Sequence, residues 1–296
     1  MACIKTQAVG VNTEAKAAPS LVFERKTKGQ RHGPITRLIS PGDLGESLKP
    51  FVFLDAVRME PDGSMGFGWH PHSGIATVTN HFVGSSWAEE SDGQRHLVPA
   101  GGLEYVHAGG GVWHRGGAAP GVSQMTGFQL WLALGEEQEL LPAQSRYYEP
   151  ERIPQQGAVR VLLGEYDGLR SPVKAPVHTD YLQIDLPAGE RLTIGSQSVD
   201  KVAFVAIIGG KVEIRRGDGP PELLRNIELG QFLPSSQDLV IESQTDAQLV
   251  YGAAAPHRNS LALGHYSVHT STAALEQGEA GIRRIYRENK TRLQDD

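Results

Sequence analysis

Three histidines in two glycine-containing motifs are the residues of this chain best suited to chemistry. His70 and His72 lie in the motif Gly-Trp-His-Pro-His-Ser-Gly, and His114 ends the motif Ala-Gly-Gly-Gly-Val-Trp-His. Residues i and i+2 of a β-strand point to the same face, so His70 and His72 are expected to project together. Neutral imidazole is a good ligand for Fe, Zn, Cu and Ni. The pattern predicts one metal ion held by three histidines, provided that His114 comes from a neighbouring strand.

Short apolar runs separated by glycine and proline turns must position these histidines. Strand-like runs occupy residues 21–25, 50–54, 75–83 and 128–134, and a second series begins with residues 159–163 and 181–186. Short strands at regular spacing indicate a β-sandwich or a β-barrel. One segment is typical of a helix: residues 272–286, with Ser271 as its N-cap.

The two series of strands predict an all-β protein with two domains. We expect residues 1–18 to form a flexible arm, residues 19–155 a first barrel with the candidate metal site, and residues 156–296 a second barrel that ends in a short helix. The second barrel has no comparable histidine cluster, because His178 has no partner at ligand spacing. We therefore expect no metal there.

Composition and charge narrow the class of protein. The 296 residues carry a formal net charge of −6 without a basic block, which argues against nucleic acid as a partner. Cys3 is the single cysteine, so no intrachain disulfide can form and a reducing compartment is the natural reading. The sequence has neither a signal-peptide core near its start nor an apolar run of membrane-spanning length. We expect a cytoplasmic protein without a membrane partner.

The order of the motifs resembles the pirin family of the cupin superfamily. His-Pro-His-Ser-Gly at residues 70–74 is followed by a proline-glycine turn at 99–102, by the motif that ends in His114, and by Gly-Phe-Gln-Leu-Trp at 127–131. The likeness covers residues 20–155 well and the rest of the chain more weakly. The two histidine motifs are specific as a pair, whereas either one alone is a weak signal.

The resemblance implies a bicupin, which is a tandem of two double-stranded β-helix (jelly-roll) barrels. It implies one metal, usually iron, on residues that match His70, His72 and His114, together with a glutamate two positions after the third histidine. It also implies two classes of function. Some members are quercetin 2,3-dioxygenases that open the flavonol ring with O₂, and others act as protein partners in transcription.

The sequence departs from this pattern at Gly116, which stands where the family has glutamate. Three outcomes are open: a three-histidine site, a substitute ligand, or a lost metal. His107 is the first substitute candidate if residues 107 and 112 pair across a hairpin, and Glu104 and Tyr105 are weaker ones. Strand parity points Arg115 outward.

The remaining candidates have structural explanations. We assign no functional role to His32, His96, His178, His257, His265 and His269, and we treat His81 as structural. The aromatic residues Trp69, Phe82, Phe128 and Trp131 are expected to be mostly core, although they could line a pocket, and Gln129 is a candidate polar contact.

Two hypotheses about function follow. The first is a dioxygenase of flavonols or other phenols that uses one divalent metal, with Fe first and Ni, Mn, Cu or Zn as alternatives. The second is a non-catalytic regulatory or protein-binding module in which the metal is structural, redox-sensing or lost. The catalytic residues and the oligomeric state do not follow from the sequence.

Overall fold

A computed structural model describes residues 22–61, 66–195 and 200–294. The predicted flexible arm, residues 1–18, lies outside the described residues. No helix in the described ranges has both the length and the apolar character needed to span a bilayer.

The first half of the described chain consists mainly of β-strands. Their bounds are β1 Phe23–Thr27, β2 Gln30–His32, β3 Ile35–Ile39, β4 Phe51–Met59, β5 Gly66–His72, β6 Ile75–Val83, β7 Ser86–Glu90, β8 Arg95–Val98, β9 Leu103–His107, β10 Val112–Ala118, β11 Met125–Ala133 and β12 Gln144–Tyr148. A short helix, α1 (Leu44–Leu48), precedes β4, and a 3₁₀ turn at Pro150–Arg152 follows β12.

The second half repeats this composition and ends in helices. Its strands are β13 Gln155–Gln156, β14 Val159–Leu163, β15 Glu165–Tyr166, β16 Leu169–Arg170, β17 Thr179–Leu186, β18 Arg191–Ile194, β19 Val202–Gly209, β20 Lys211–Arg216, β21 Glu222–Arg225, β22 Glu228–Phe232, β23 Leu239–Ser243, β24 Ala247–Ala254, β25 Ala262–Leu263 and β26 Val268–His269. The helices α2 (Thr272–Glu288) and α3 (Lys290–Gln294) follow.

Each half pairs a seven-stranded sheet with a four-stranded sheet. The first large sheet has the order β12-β9-β6-β11-β4-β3-β2 and faces the first small sheet, β5-β10-β7-β8. The second large sheet has the order β1-β22-β19-β24-β17-β14-β13 and faces the second small sheet, β18-β23-β20-β21. The prediction of an all-β chain with two tandem barrels and a C-terminal helix is confirmed.

Apolar cores fill the second barrel and the space between the two large sheets. Leu54, Val78 and Leu130 of the first large sheet belong to one buried cluster with Phe204 and Val250 of the second. Inside the second barrel, a separate cluster joins side chains of both its sheets, among them Val161, Val205, Ile214, Ile241 and Tyr251. The first barrel differs, because polar side chains line much of its interior.

Each end of the described chain packs against the opposite half of the protein. Strand β1 pairs with β22 and so extends the second large sheet. Helix α2 packs on β10 of the first barrel, where Trp113 Nε1 donates a hydrogen bond to the Ile282 carbonyl over 3.0 Å. The division of the chain at residues 155 and 156 stays a prediction about domains, and these contacts join the two parts.

Helix α2 matches its predicted start. The Ser271 hydroxyl accepts a hydrogen bond from the Ala274 amide, which satisfies one of the free donors of the first turn. The helix approaches the loop after β9 closely, since a Cβ atom on Gly281 would lie 2.0 Å from the Gly110 carbonyl oxygen. Glycine is therefore required at this contact.

Candidate metal centre

Three histidine side chains converge inside the first barrel. In the register of the first small sheet, His114 of β10 lies opposite His70 of β5, and Val112 lies opposite His72. The ligand nitrogens of His70, His72 and His114 lie within 4.8 Å of one another. The predicted convergence of the three side chains is therefore present.

The hydrogen bonds of two rings leave their Nε2 atoms available to bind a metal ion. His70 Nδ1 lies 2.8 Å from the Gly68 carbonyl oxygen, and His72 Nδ1 lies 3.3 Å from the Tyr266 carbonyl oxygen. A carbonyl oxygen only accepts, so each Nδ1 carries the proton and each Nε2 keeps a lone pair. In metal sites, the ring nitrogen of a histidine that does not bind the metal usually donates a hydrogen bond, and this bond fixes the orientation of the ring.

Two buried nitrogens at this site have no partner. His72 Nε2 and His114 Nε2 are buried and make no hydrogen bond within the described part of the chain. A buried polar atom without a partner is costly, and a metal ion is one way to satisfy it. The donor set of three imidazoles therefore fits a transition-metal ion.

A β-bulge shapes the strand that carries two of the histidines. The register of β5 against β10 shifts between His114 and Gly116, so that Gly68 and Trp69 both lie opposite Arg115. Bulges re-aim side chains next to functional sites. Here the extra residue is adjacent to His70, whose Nδ1 bonds the Gly68 carbonyl within the bulge.

Burial keeps the three imidazoles neutral. It lowers the pKa of His72 to about 3, with a smaller lowering effect from the neighbouring His70. Burial also lowers the pKa of His114, and that of His70 to a smaller extent, where the hydrogen bond to Gly68 opposes the change. Neutral imidazole is the form that binds metals, so no proton has to leave at neutral pH.

A polar row crosses the first large sheet opposite the histidines. Neighbouring strands place its members directly opposite one another, in the order Tyr147, Glu104, Thr79, Gln129, Asp55 and Arg37. Residues directly opposite in a sheet project to the same face. Glu104, Thr79, Gln129 and Asp55 line the same cavity as His70 and His114.

Two cavities meet at the histidines. The inner cavity, of about 110 Å³, lies between the polar row and His114. The outer cleft, of about 760 Å³, reaches His72 and is bounded by aromatic residues that include Phe53, Trp131 and Tyr266. His70 and Gln129 line both cavities. The two cavities therefore adjoin at His70 and Gln129.

Gly116 lines the inner cavity, but the structure leaves no room for a side chain there. A Cβ atom at position 116 would lie 2.7 Å from the Trp87 carbonyl oxygen of the neighbouring strand β7. Such a distance requires the backbone to move. Close approach of two strands therefore accounts for glycine at this position.

His107 does not stand where the predicted hairpin would have put it. Strand β9 pairs with β6 and β12, whereas β10 pairs with β5 and β7, so residues 107 and 112 are on different sheets. The glycine turn between them carries the chain from one sheet to the other, and positive φ angles at Gly109 and Gly111 permit this. The His107 ring contacts the Gln138 carbonyl instead, at 3.2 Å, and lies outside the histidine cluster.

Other candidates have defined partners. The Arg115 guanidinium lies 3.3 Å from the Glu89 carboxylate and 4.8 Å from the centre of the Trp69 ring. His81 is buried on the wall of the inner cavity, with Nε2 2.8 Å from the Ser86 hydroxyl. Trp131 stacks on Phe53 and touches the His72 ring edge-on, so it is both core and site wall.

A buried polar network behind His72 was not predicted from the sequence. The Glu139 carboxylate accepts a hydrogen bond from His269 Nδ1 over 3.0 Å, and His269 Nε2 lies 3.0 Å from the Ser73 hydroxyl oxygen. The order acid, histidine and serine is that of a hydrolase triad. Ser73 is wholly buried, however, and a Cβ atom on Gly278 would lie 2.6 Å from its hydroxyl. No substrate can enter, so the network holds the C-terminal segment against the residue that follows His72.

Comparisons with known proteins agree with this architecture. A sequence profile named Pirin matches residues 34–132. A protein of Pseudomonas aeruginosa, named "Putative quercetin 2,3-dioxygenase", is 31% identical over 75% of this chain and 80% of its own length. The crystal structure of quercetin 2,3-dioxygenase from Acinetobacter baumannii superposes with a TM-score of 0.77 at 20% identity, over 92% of this chain and 96% of that chain.

A third likeness is to a bacterial pirin solved with a metal. The structure of YhhW from Escherichia coli in complex with nickel(II) has a TM-score of 0.60 at 18% identity, over 77% of this chain and 94% of that chain. At such identity the superposition shows the shared fold, which is that of the bicupins. Taken with the sequence match over most of the first relative, the two-barrel architecture and the pair of histidine motifs show that this chain belongs to the pirin family.

Proposed function

We propose that the first barrel binds one divalent transition metal through His70, His72 and His114, and that the loaded protein is a dioxygenase of flavonols or related phenols. The observation that carries this proposal is the set of three convergent imidazoles, two of which have buried Nε2 atoms without a partner among the described residues. Iron is our first choice of metal, with nickel, manganese, copper and zinc as alternatives.

The role expected of the metal follows from the general chemistry of divalent transition-metal ions. A redox-active divalent ion with open coordination positions supplies Lewis acidity toward a substrate oxygen and a route for electrons to O₂. The protein supplies the ligands, their orientation and the shape of the cavity. The names of the relatives support an oxygenase, since one is named "Putative quercetin 2,3-dioxygenase" and the other is the structure of a quercetin 2,3-dioxygenase.

The outer cleft suits a flat aromatic ligand. Its volume of about 760 Å³ lies within the range of roughly 300–1,000 Å³ that small-molecule sites occupy. Phe53 and Trp131 stack on each other at 4.0 Å, and the Arg37 guanidinium lies over the Phe53 ring at 4.2 Å. These residues give the cleft an aromatic wall beside the histidines, and such a wall favours contact with a planar aromatic ligand.

The first test measures oxygen uptake. Protein reconstituted with Fe(II) under anaerobic conditions is mixed with quercetin and O₂, beside His70→Ala and the control His32→Ala, which alters an exposed histidine outside both cavities. We expect oxygen uptake and quercetin loss in the wild type and in His32→Ala, and neither in His70→Ala.

Two outcomes would reject parts of the proposal. One equivalent of bound metal without turnover of a broad panel of phenols would favour the non-catalytic regulatory hypothesis, with a protein as the partner. Failure to bind any of the five metals after reconstitution would show that the site has lost its metal.

A further inference from the structure

The Glu104 carboxyl is the one carboxyl among the described residues lining the inner cavity that has a buried oxygen without a hydrogen-bond partner. The residue is 5% exposed, and its Oε1 atom has no hydrogen-bond partner among the described residues. It lines the cavity together with Thr79 and Gln129, its neighbours in the polar row. A carboxyl oxygen that is buried in this way costs free energy unless a ligand satisfies it.

The neighbouring carboxylates differ from Glu104 because arginine or tyrosine side chains form hydrogen bonds with them. Arg37 binds both oxygens of Asp55, each over 3.0 Å. Arg95 and Arg115 bind Glu89, and the Tyr147 hydroxyl donates to Glu90. Asp55, Glu89 and Glu90 thus each have a hydrogen-bond partner, whereas Glu104 Oε1 has none among the described residues.

Glu104 is placed to act on a ligand and not to join the metal ligands. The cluster with metal-binding spacing comprises three histidines of the first small sheet, whereas Glu104 belongs to β9 on the opposite sheet. The cavity between them, of about 110 Å³, is smaller than the pockets of roughly 300 Å³ or more that usually hold small-molecule ligands. A ligand in the outer cleft can therefore put only one edge into it.

We propose that Glu104 is the general base that receives the proton of a substrate hydroxyl group that enters the inner cavity. This inference rests on the proposed function and adds a catalytic residue to it. In the step, the substrate O–H bond breaks and its electron pair stays on the substrate oxygen. A new O–H bond forms at Glu104 Oε1, and the proton returns to an oxygen of the product before release. The substrate class is a neutral phenol or enol.

The electrostatic environment suits this role. Burial raises the pKa of Glu104 to about 7, and the negative charge of Glu90 adds to the rise, while Thr79 and Tyr147 oppose it. A base with a pKa near the working pH can both accept and return a proton. The other ionisable groups around the cavity are Asp55, His70, His81, His114 and Arg115.

The test follows the protonation state of a bound ligand without turnover. Protein loaded with Zn(II), which is redox-inert, binds quercetin under nitrogen at pH 8. The absorption spectrum shows whether the bound quercetin is the anion, and calorimetry in two buffers of different ionisation enthalpy measures the protons released to solvent. We expect the wild type to bind the quercetin anion while releasing almost no proton to solvent, because Glu104 keeps the proton, and we expect Glu104→Gln to release about one more proton per quercetin bound. Zinc content and affinity for quercetin are measured on every variant.

Two further variants make the result specific. Glu104→Asp keeps the carboxyl but withdraws it by one methylene, so its proton release should lie between those of the wild type and Glu104→Gln, and it carries the test if Glu104→Gln does not fold. Glu276→Gln removes an exposed carboxylate of α2 that lines neither cavity, and it should leave the proton release unchanged.

The outcomes separate this inference from the proposed function. Quercetin bound with the same proton release in the wild type, Glu104→Gln and Glu104→Asp would overturn the role of Glu104 and leave the proposed function standing. No binding of quercetin to the wild type loaded with zinc or with iron would overturn both.

Discussion

The Nδ1 atom of His72 lies 3.3 Å from the carbonyl oxygen of Tyr266, a residue 194 positions further along the chain. Ser73, the next residue, contacts the same segment through Ser267, whose hydroxyl oxygen is 2.8 Å away. A hydrogen bond to the second ring nitrogen orients a histidine ligand and raises its basicity. The C-terminal segment therefore supports a candidate site whose three histidines all lie in the first 114 residues.

Removing the carboxylate that anchors this segment should weaken metal binding at a distance. Glu139 accepts hydrogen bonds from His269 Nδ1, the Thr270 amide and the Thr270 hydroxyl. We expect Glu139→Ala to lower the free energy of unfolding by about 3 kcal/mol, because buried donors lose a charged acceptor. We also expect a lower affinity for zinc, measured by titration against a chromogenic chelator. Glu137→Ala, an exposed position in the same loop, is the control, and equal zinc affinity in both variants would refute the supporting role.

Metal stoichiometry should separate His114 from His107. His114→Ala removes one of the three convergent imidazoles, so elemental analysis by plasma mass spectrometry should show metal content well below one equivalent. His107→Ala removes a ring that contacts the Gln138 carbonyl outside the cluster, so its metal content should equal that of the wild type. Unchanged metal in His114→Ala would contradict the ligand assignment. Loss of metal in His107→Ala would return it to the candidates.

A side chain at position 116 should cost stability. The Cβ atom of Gly116→Ala would lie 2.7 Å from the Trp87 carbonyl oxygen, and we expect a loss of about 1–3 kcal/mol, as for an overpacked core. Gly135→Ala, which meets nothing within 4 Å, should be near neutral. Chemical denaturation of the metal-free proteins provides both values. A stable Gly116→Glu variant with tighter metal binding would show that the strands can separate to accept a carboxylate.

The pH dependence of stability should report Glu104. Its pKa is about 7 in the folded protein, against 4.5 for a glutamate in an unfolded chain, so the folded state binds the proton more tightly. This stabilising contribution is complete below pH 4.5 and is lost as the pH rises through 7. Between pH 4 and pH 9, metal-free wild type should lose about 3 kcal/mol relative to Glu104→Gln in urea denaturation. Parallel curves for the two proteins would show that Glu104 does not titrate in this way.

Local sequence determined much of the architecture. Alternating and continuous apolar runs gave the strands of both barrels, and Ser271 marked the start of α2, because these signals depend on residues that are near in the chain. The spacing of His70 and His72 put both rings on one side of β5. The pairing with His114 could be anticipated from the two motifs, since the resemblance to pirins joined them.

Only the tertiary structure decided which distant groups surround that site. A hairpin was expected to bring His107 beside His114, but the glycine turn at 109–111 moves the chain from the large sheet to the small one. The row from Tyr147 to Arg37 exists because six strands align in register, and no local pattern encodes such a register. The contact of Tyr266 with His72 and the burial of Glu104 likewise depend on packing between segments far apart in the chain, and burial is what gives a carboxyl or an imidazole its unusual chemistry.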